Sequence, residues 1–480
     1  MTMVLFEALA IAAISSLLFE AAALMRIGGA MALRRAADSL CPSVQTLLYA
    51  AFFFSLLSIQ LTSWTFYASG KYLPYYNLLI ILYYAAVLVI CARAYRFVSY
   101  DLKILLIMLY LIAVPSALSG YGVTEVLIGL KYTILPFLLY FFFRTALDSM
   151  DRVRVFLRLI VLGGALTALY VIFELLNRFT GLWPGFWLAA EGFIEAERPA
   201  YVNYIRDFIY LKSFLVRPLG IFLDIYSQGF VVIAALLAVI VMGRTLVSDR
   251  AAALLQPLLV LGILLSTVKS YIVILALSLT GLLLFNAWRF RDGVMKKRLV
   301  SSIFVMSAAI LFTLAYFYKA LLHMFGRLLN LTTAGSATHE IIFDEMMFFF
   351  TKKLPYLLSH RPLNAIFGFG YGTELSLAGE AHFFGRQLAI MGVAGFALYW
   401  SIIARSCKEG LRAAGDRRIG ETERRLFLFG SLMCMVLAAT LLHYSPLNVC
   451  NNFIAAFMLY TGELAYGHNR GLYQTDGARP

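Results

Sequence analysis

An acid, an imidazole and a guanidinium fall within seven residues in the stretch GEAHFFGRQLAIMGVAGFALYW, residues 379–400: Glu380, His382 and Arg386. Imidazole titrates near neutral pH, which makes His382 the best candidate in the chain for moving a proton. Glu380 could orient it, and Arg386 follows one helical turn later on the same face. A second polar group lies in VRPLGIFLDIYSQG, residues 216–229. There Arg217 precedes Pro218, a good first helical residue, and Asp224, Tyr226, Ser227 and Gln228 follow within three turns. Such a cluster early in an apolar helix suggests a wet cleft; the plainer alternative is a helix cap with an interfacial tyrosine. A third candidate is Lys269, in the polar break of LLSTVKSYIV, residues 264–273. A lone lysine there could also snorkel to the membrane surface, and His382 could be an exposed or core-satisfied histidine.

The elements that carry these residues are membrane spans. The chain has 480 residues, 62% hydrophobic and only 14% charged, with a mean hydropathy of +0.82. Soluble domains are about half apolar and about a quarter charged. Apolar stretches of bilayer-crossing length recur along the whole sequence. They predict about thirteen spans, at 3–25, 44–64, 75–92, 101–119, 124–143, 155–177, 219–242, 252–266, 270–288, 299–318, 386–404, 426–443 and 449–466. The first lacks a basic leader and carries Glu7, so it reads as a retained helix, not a signal peptide. The five cysteines, Cys41, Cys91, Cys407, Cys434 and Cys450, have neither disulfide nor metal spacing.

The formal charge of +14 is accounted for by topology without nucleic acid. Lys and Arg alternate between strongly and weakly basic connections, the strongest being WRFRDGVMKKR and ARSCKEGLRAAGDRRIGETERR. By the positive-inside rule the basic connections face the cytoplasm, with the N-terminus out and the C-terminus in. The reading is one integral-membrane domain over 1–480, with two long outer connections at 178–218 and 319–385. The second carries two predicted interfacial helices, near 319–331 and 338–359, and a glycine turn, FGFGYG. Motifs for P-loop, zinc-protease or nucleophile-elbow chemistry are absent from the sequence.

Cations on the outer side break the charge rule. Arg198, Arg206, Arg217, Lys269 and Arg386 are among them, close to apolar spans. Cations held there need partners, and an anionic ligand is an economical one, because guanidinium binds phosphate through two oxygens at once. Loop salt bridges and lipid-headgroup anchors are the alternative. The outer aromatics Trp183, Trp187, Tyr201, Tyr204 and Tyr371 suit interfacial anchoring or stacking on sugars.

Four pieces in order, RPLGIFLDIYSQG, LLSTVKSYIVILALSLTG, RPLNAIFGFGYG and EAHFFGRQLAIMGVAG with its Gly-x-x-Gly step, give the chain a resemblance to the O-antigen polymerase and ligase superfamily over roughly residues 215–400. The resemblance implies an all-α polytopic membrane protein of about 12–14 transmembrane helices, similar to type C membrane glycosyltransferases, in a bacterial inner membrane with its active site facing the periplasm. It implies an inverting transferase that needs neither metal nor nucleotide cofactor and polymerises glycans carried on undecaprenyl pyrophosphate. Membrane lipids and a chain-length regulator or other assembly proteins are the implied partners. Arg217 falls on the family's pyrophosphate-binding arginine and His382 on its histidine. Lys269 stands where a second arginine is usual, keeping the charge but losing the fork. Before the glycine turn, SATHEIIFDEMM replaces an expected Arg-Trp pair. A ligase acting on lipid A core shares the same site. A flippase, with binding groups at mid-membrane, and a structural partner in a secretion complex are the readings from other classes. Lys131 and Glu174, near mid-membrane, have no assigned role.

Overall fold

The computed structural model describes residues 48–57, 99–120, 123–180, 227–266, 269–287, 292–316, 355, 359, 361–371, 383–443 and 449–470, apart from positions 54 and 148. Among these residues there are helices and turns and no strand. After a short helical segment at Leu48–Leu57 come α1 (Ser99–Ala117), α2 (Val123–Ala146), α3 (Met150–Thr180) and α4 (Ser227–Met242) with a 3-10 turn, Gly243–Thr245. Then follow α5 (Asp249–Leu265), α6 (Lys269–Phe285), α7 (Gly293–Tyr316), the short α8 (Pro362–Phe367), α9 (Phe383–Gly415), α10 (Glu421–His443) and α11 (Val449–Asn469). Stretches of α1, α3, α4, α9 and α10 are long and apolar enough to cross a bilayer. The described chain is therefore all-α, with the make-up of a polytopic membrane protein.

Each predicted span from 101–119 onward coincides with a helix, though only the part of 219–242 from Ser227 is described. The largest departure is at 386–404, where α9 is longer at both ends and is broken inside. The spans at 3–25 and 75–92, the interfacial helix near 319–331, all of the one near 338–359 except residues 355 and 359, and the outer connection from 181 to 218 lie outside the described residues.

The sequence FVVIAALLAVIVM is apolar on every face, and a helix of that kind belongs in the interior. It forms the body of α4, all of whose residues are buried. Small residues let its neighbours approach, as between helices in lipid. A Cβ on Gly164 of α3 would lie 2.2 Å from Ala235, and one on Gly262 of α5 would lie 2.5 Å from Ala168. The far face of α3 shows Val155, Leu162, Leu169 and Leu176 at intervals of seven, all exposed, a stripe suited to lipid. On α1, Leu102, Leu106, Leu109 and Ile112 do the same.

A buried helix cannot leave its last carbonyls without donors. Two arginines and a threonine supply them. Arg298 Nη1 of α7 donates to Val239 O at 2.7 Å, Arg425 Nη1 of α10 to Val241 O at 3.1 Å, and Thr245 Oγ1 to Met242 O at 2.6 Å. Just beyond, Arg158 Nε of α3 donates to Leu246 O at 3.3 Å. Guanidinium groups also complement the negative end of the helix dipole. Gly243 sits at φ +62, and a Cβ there would stand 2.5 Å from Arg425 Nη1, so glycine lets the guanidinium in.

The same arginines are neutralised in place. Arg425 pairs with Asp292 and, at 2.6 Å, with Glu421. Arg298 and Arg244 share Asp249, at 2.8 and 2.5 Å. Asp292 also caps α7, accepting from Val294 N at 2.8 Å. At this end of the bundle, Asp101 of α1 joins Arg144 of α2 and accepts from Tyr140 Oη at 2.7 Å. The starts of α1, α3, α5, α7 and α10 thus share one arginine-rich end with the finishes of α2, α4, α6, α9 and α11. In the α9–α10 turn, Arg418 holds the Asp416 carboxyl down to about 2 through side-chain and backbone hydrogen bonds.

Replacing Arg425 by Ala strips Asp292 of its buried partner and Val241 of its donor. Breaking such a pair costs about 3–5 kcal/mol, so the thermal midpoint of purified R425A in detergent drops sharply, and Arg425→Met with Asp292→Asn recovers part of the loss. The Asp416–Arg418 contribution, from a carboxyl with a lowered pKa, is complete above the ordinary carboxylate range and disappears only as pH falls towards 2. Midpoints of wild type and D416N therefore keep a constant gap from pH 8 to 5 and converge in acid.

Candidate functional site

Of the sequence-predicted site residues, only the backbones of Lys269 and Arg386 are described, and both lie at the opposite end of the bundle. Lys269 is the first residue of α6 and Arg386 lies in the first turn of α9, which begins at Phe383, immediately after His382. The side chains of Lys269 and Arg386 are outside the described set, as are Glu380, His382, Arg198, Arg206 and Arg217. Ser227 and Gln228, expected near a wet cleft, are buried. Here the starts of α4, α6 and α11 meet. Asn451 Nδ2 donates to Ser227 O at 3.3 Å, and a Cβ on Gly229 would lie 2.2 Å from the Tyr271 ring. Ser227 and Gln228 are thus packed among these helix starts, while Asp224 and Tyr226 of the same cluster lie outside the described residues. Glu174, left unassigned by the sequence, is buried beside Tyr170 in α3; the side chain of Lys131 is not described.

The glycine turn and the helix that follows His382 form one unit. At Gly392 the backbone of α9 has φ 65 and ψ −178, a region open essentially to glycine alone. In an unbroken helix the carbonyls of Ala389, Ile390 and Met391 would accept from residues 393, 394 and 395. Instead Phe369 N donates to Ala389 O at 2.7 Å and Gly370 N to Ile390 O at 3.1 Å. Tyr110 Oη of α1 donates to Met391 O at 2.9 Å. A tyrosine hydroxyl thus reaches a ladder carbonyl at the break, and a group inserted there is a recognised cause of helix kinks.

Each glycine of the Gly-x-x-Gly step has its own task. Gly392 makes the break. Gly395 makes room, since a Cβ there would sit 2.4 Å from the Tyr110 ring. Gly368 and Gly370 of the turn also have positive φ, at 92 and 87, and a Cβ on either would meet backbone atoms, Ile390 O at 2.1 Å and Pro115 O at 2.4 Å.

Tyr371 fastens the turn to α1. Pro115 has no N–H, so Leu111 O loses its helical donor. Tyr371 Oη fills the gap at 2.9 Å. Tyr371 N donates to Pro115 O at 3.2 Å and Ser119 Oγ to Tyr371 O at 2.6 Å. The expectation that Tyr371 anchors at the interface or stacks on sugars is corrected: its ring is fully buried and its hydroxyl completes a helix. Tyr110 was not expected at all. Its one signal in the sequence is a hydroxyl in the middle of an otherwise apolar run, LIMLYLIAV, which in a bilayer requires a partner.

Comparison with known protein families, curated proteins and solved structures finds no match for the chain.

Gly392→Ala and Gly368→Ala each incur about 1–3 kcal/mol of backbone strain on top of a backbone clash, so both lower the thermal midpoint severely. Gly281→Ala, in α6 with open space around the added methyl, leaves it unchanged or raised. Tyr371→Phe costs about 1 kcal/mol. In a Pro115→Ala background, where residue 115 can donate to Leu111 O, the same substitution costs less; a double-mutant cycle on denaturation midpoints measures the coupling.

Proposed function

We propose that this chain is a membrane glycosyltransferase that polymerises undecaprenyl-pyrophosphate-linked oligosaccharide units on the extracytoplasmic face. One observation carries the reading: RPLNAIFGFGYG and the helix of EAHFFGRQLAIMGVAG, two separate pieces of the resemblance, are hydrogen-bonded backbone to backbone at the break in α9. An enzyme that relies on His382 and Arg386 needs the start of α9 held, and the turn is a means of holding it.

The arginine-rich end, with Arg244, Arg298 and Arg425, is taken as cytoplasmic by the positive-inside rule. His382, Arg217, Lys269, Arg386, Glu380, Arg198 and Arg206 then belong to the periplasmic side. A hydroxyl of one lipid-linked unit attacks the anomeric carbon of a second. The new O–C1 bond forms as the C1–O bond to phosphate breaks, and undecaprenyl pyrophosphate departs. His382, oriented by Glu380, takes the hydroxyl proton. Arg217, with Lys269, Arg386, Arg198 and Arg206, stabilises the charge gathering on the pyrophosphate. Inversion at C1 follows from a single displacement.

Purified protein given undecaprenyl-pyrophosphate oligosaccharide alone should yield a ladder of products, and His382→Ala and Arg217→Ala should each reduce it by about 10²-fold or more. Turnover only after lipid A core is added would make it a ligase. No turnover with either, in folded protein, would favour a transporter or a structural partner.

A further inference from the structure

We infer that Tyr110 is a positioning residue: its hydroxyl, bonded to Met391 O at the break, pins the outer half of α9 at the angle that sets His382 and Arg386. The inference rests on the proposed function for its catalytic consequence, but the pin itself stands on geometry alone. Residues 383–391 are separated from the rest of α9 by Gly392, whose φ of 65 and ψ of −178 interrupt the helix. A helix cut this way has lost the ladder that would transmit its direction. What restores direction is lateral. Phe369 and Gly370 hold the carbonyls of Ala389 and Ile390, so the turn and the half-helix move together.

The whole unit is tied to α1 at two points. Tyr371 reaches Leu111 O, and Tyr110, one residue earlier on α1, holds Met391 O at the break itself. The Tyr110 hydroxyl also lies 3.4 Å from Phe367 O, at the end of α8. One oxygen thus touches the end of α8 and the outer half-helix. Without it, Met391 O loses its donor from α1, and residues 383–391 keep only the turn to hold their direction. The side chains of Tyr110 and Arg386 need never meet for this to matter. A displacement of about 1 Å at a reacting group can cost about 10²-fold in rate.

The test uses the full-length protein in lipid nanodiscs, with two readouts. The first is the distance between nitroxides at Leu363→Cys on α8 and Leu176→Cys on α3, both exposed sites, in a cysteine-less background. Tyr110→Phe should shift or broaden that distance while the protein remains folded. Gly395→Ala, which expels the ring, should do the same, and the double variant should add nothing further. The second readout is kinetic: Tyr110→Phe should lower kcat by about 10-fold to 10²-fold with KM for the lipid-linked donor unchanged. An unchanged distance in both variants overturns the pin. A shifted distance with unchanged kcat overturns the positioning role. Wild-type protein without glycosyl transfer would remove the proposed function and the catalytic half of the inference with it, while the distance measurement still decides the pin.

Discussion

Inside a bilayer a backbone carbonyl without a donor has no water to fall back on, and the cost is several kcal/mol. Much of what is specific in this protein follows from that constraint. At three places among the described residues where a helix stops or loses a bond, a donor from elsewhere in the chain takes the open carbonyl. Arg298, Arg425 and Thr245 serve the end of α4. Phe369, Gly370 and Tyr110 serve the break in α9. Tyr371 serves the carbonyl that Pro115 leaves open in α1. The apolar contacts decide that helices pack; these donors decide which helix ends lie together.

The two ends meet the constraint with different chemistry. At one, guanidinium groups do the work and carboxylates neutralise them, so the seals are also ion pairs: Arg425 with Asp292 and Glu421, Arg298 with Asp249. At the other, the donors are backbone amides and phenols, without net charge. That division suits a protein whose proposed work is done at one face while the other locks the frame.

The spans were legible because apolar length is a one-dimensional property: the long helices from Ser99 onward overlap the stretches hydropathy marks, though the one that begins at Phe383 runs on to Gly415. The Gly-x-x-Gly step was visible as a motif, but its meaning was not, since the need for Gly395 comes from a ring almost three hundred positions earlier in the chain. Tyr371 was misread for the same reason. Beside a glycine turn in a loop it looks like a surface aromatic, and only the proline in α1 explains why it is buried. Arg425 and Arg298 stood out in the sequence only as members of basic connections; their contacts with α4 carbonyls depend on which helices surround it, and composition is silent on that. The residues proposed to meet the substrate, His382 and Arg217 foremost, rest on sequence pattern alone.

The sheathing of α4 bears on how the molecule is assembled during translation. When α4 leaves the ribosome, Arg158 of α3 is already made, but Arg298 and Arg425 lie 59 and 184 residues downstream of the carbonyls they serve. For most of synthesis, then, this strand of pure aliphatic side chains must wait in the lipid with its tail unsealed. Final closure belongs to α10, which makes the bundle's completion a C-terminal event: a nascent chain halted before Arg425 would have its central helix in the membrane but not yet its keystone.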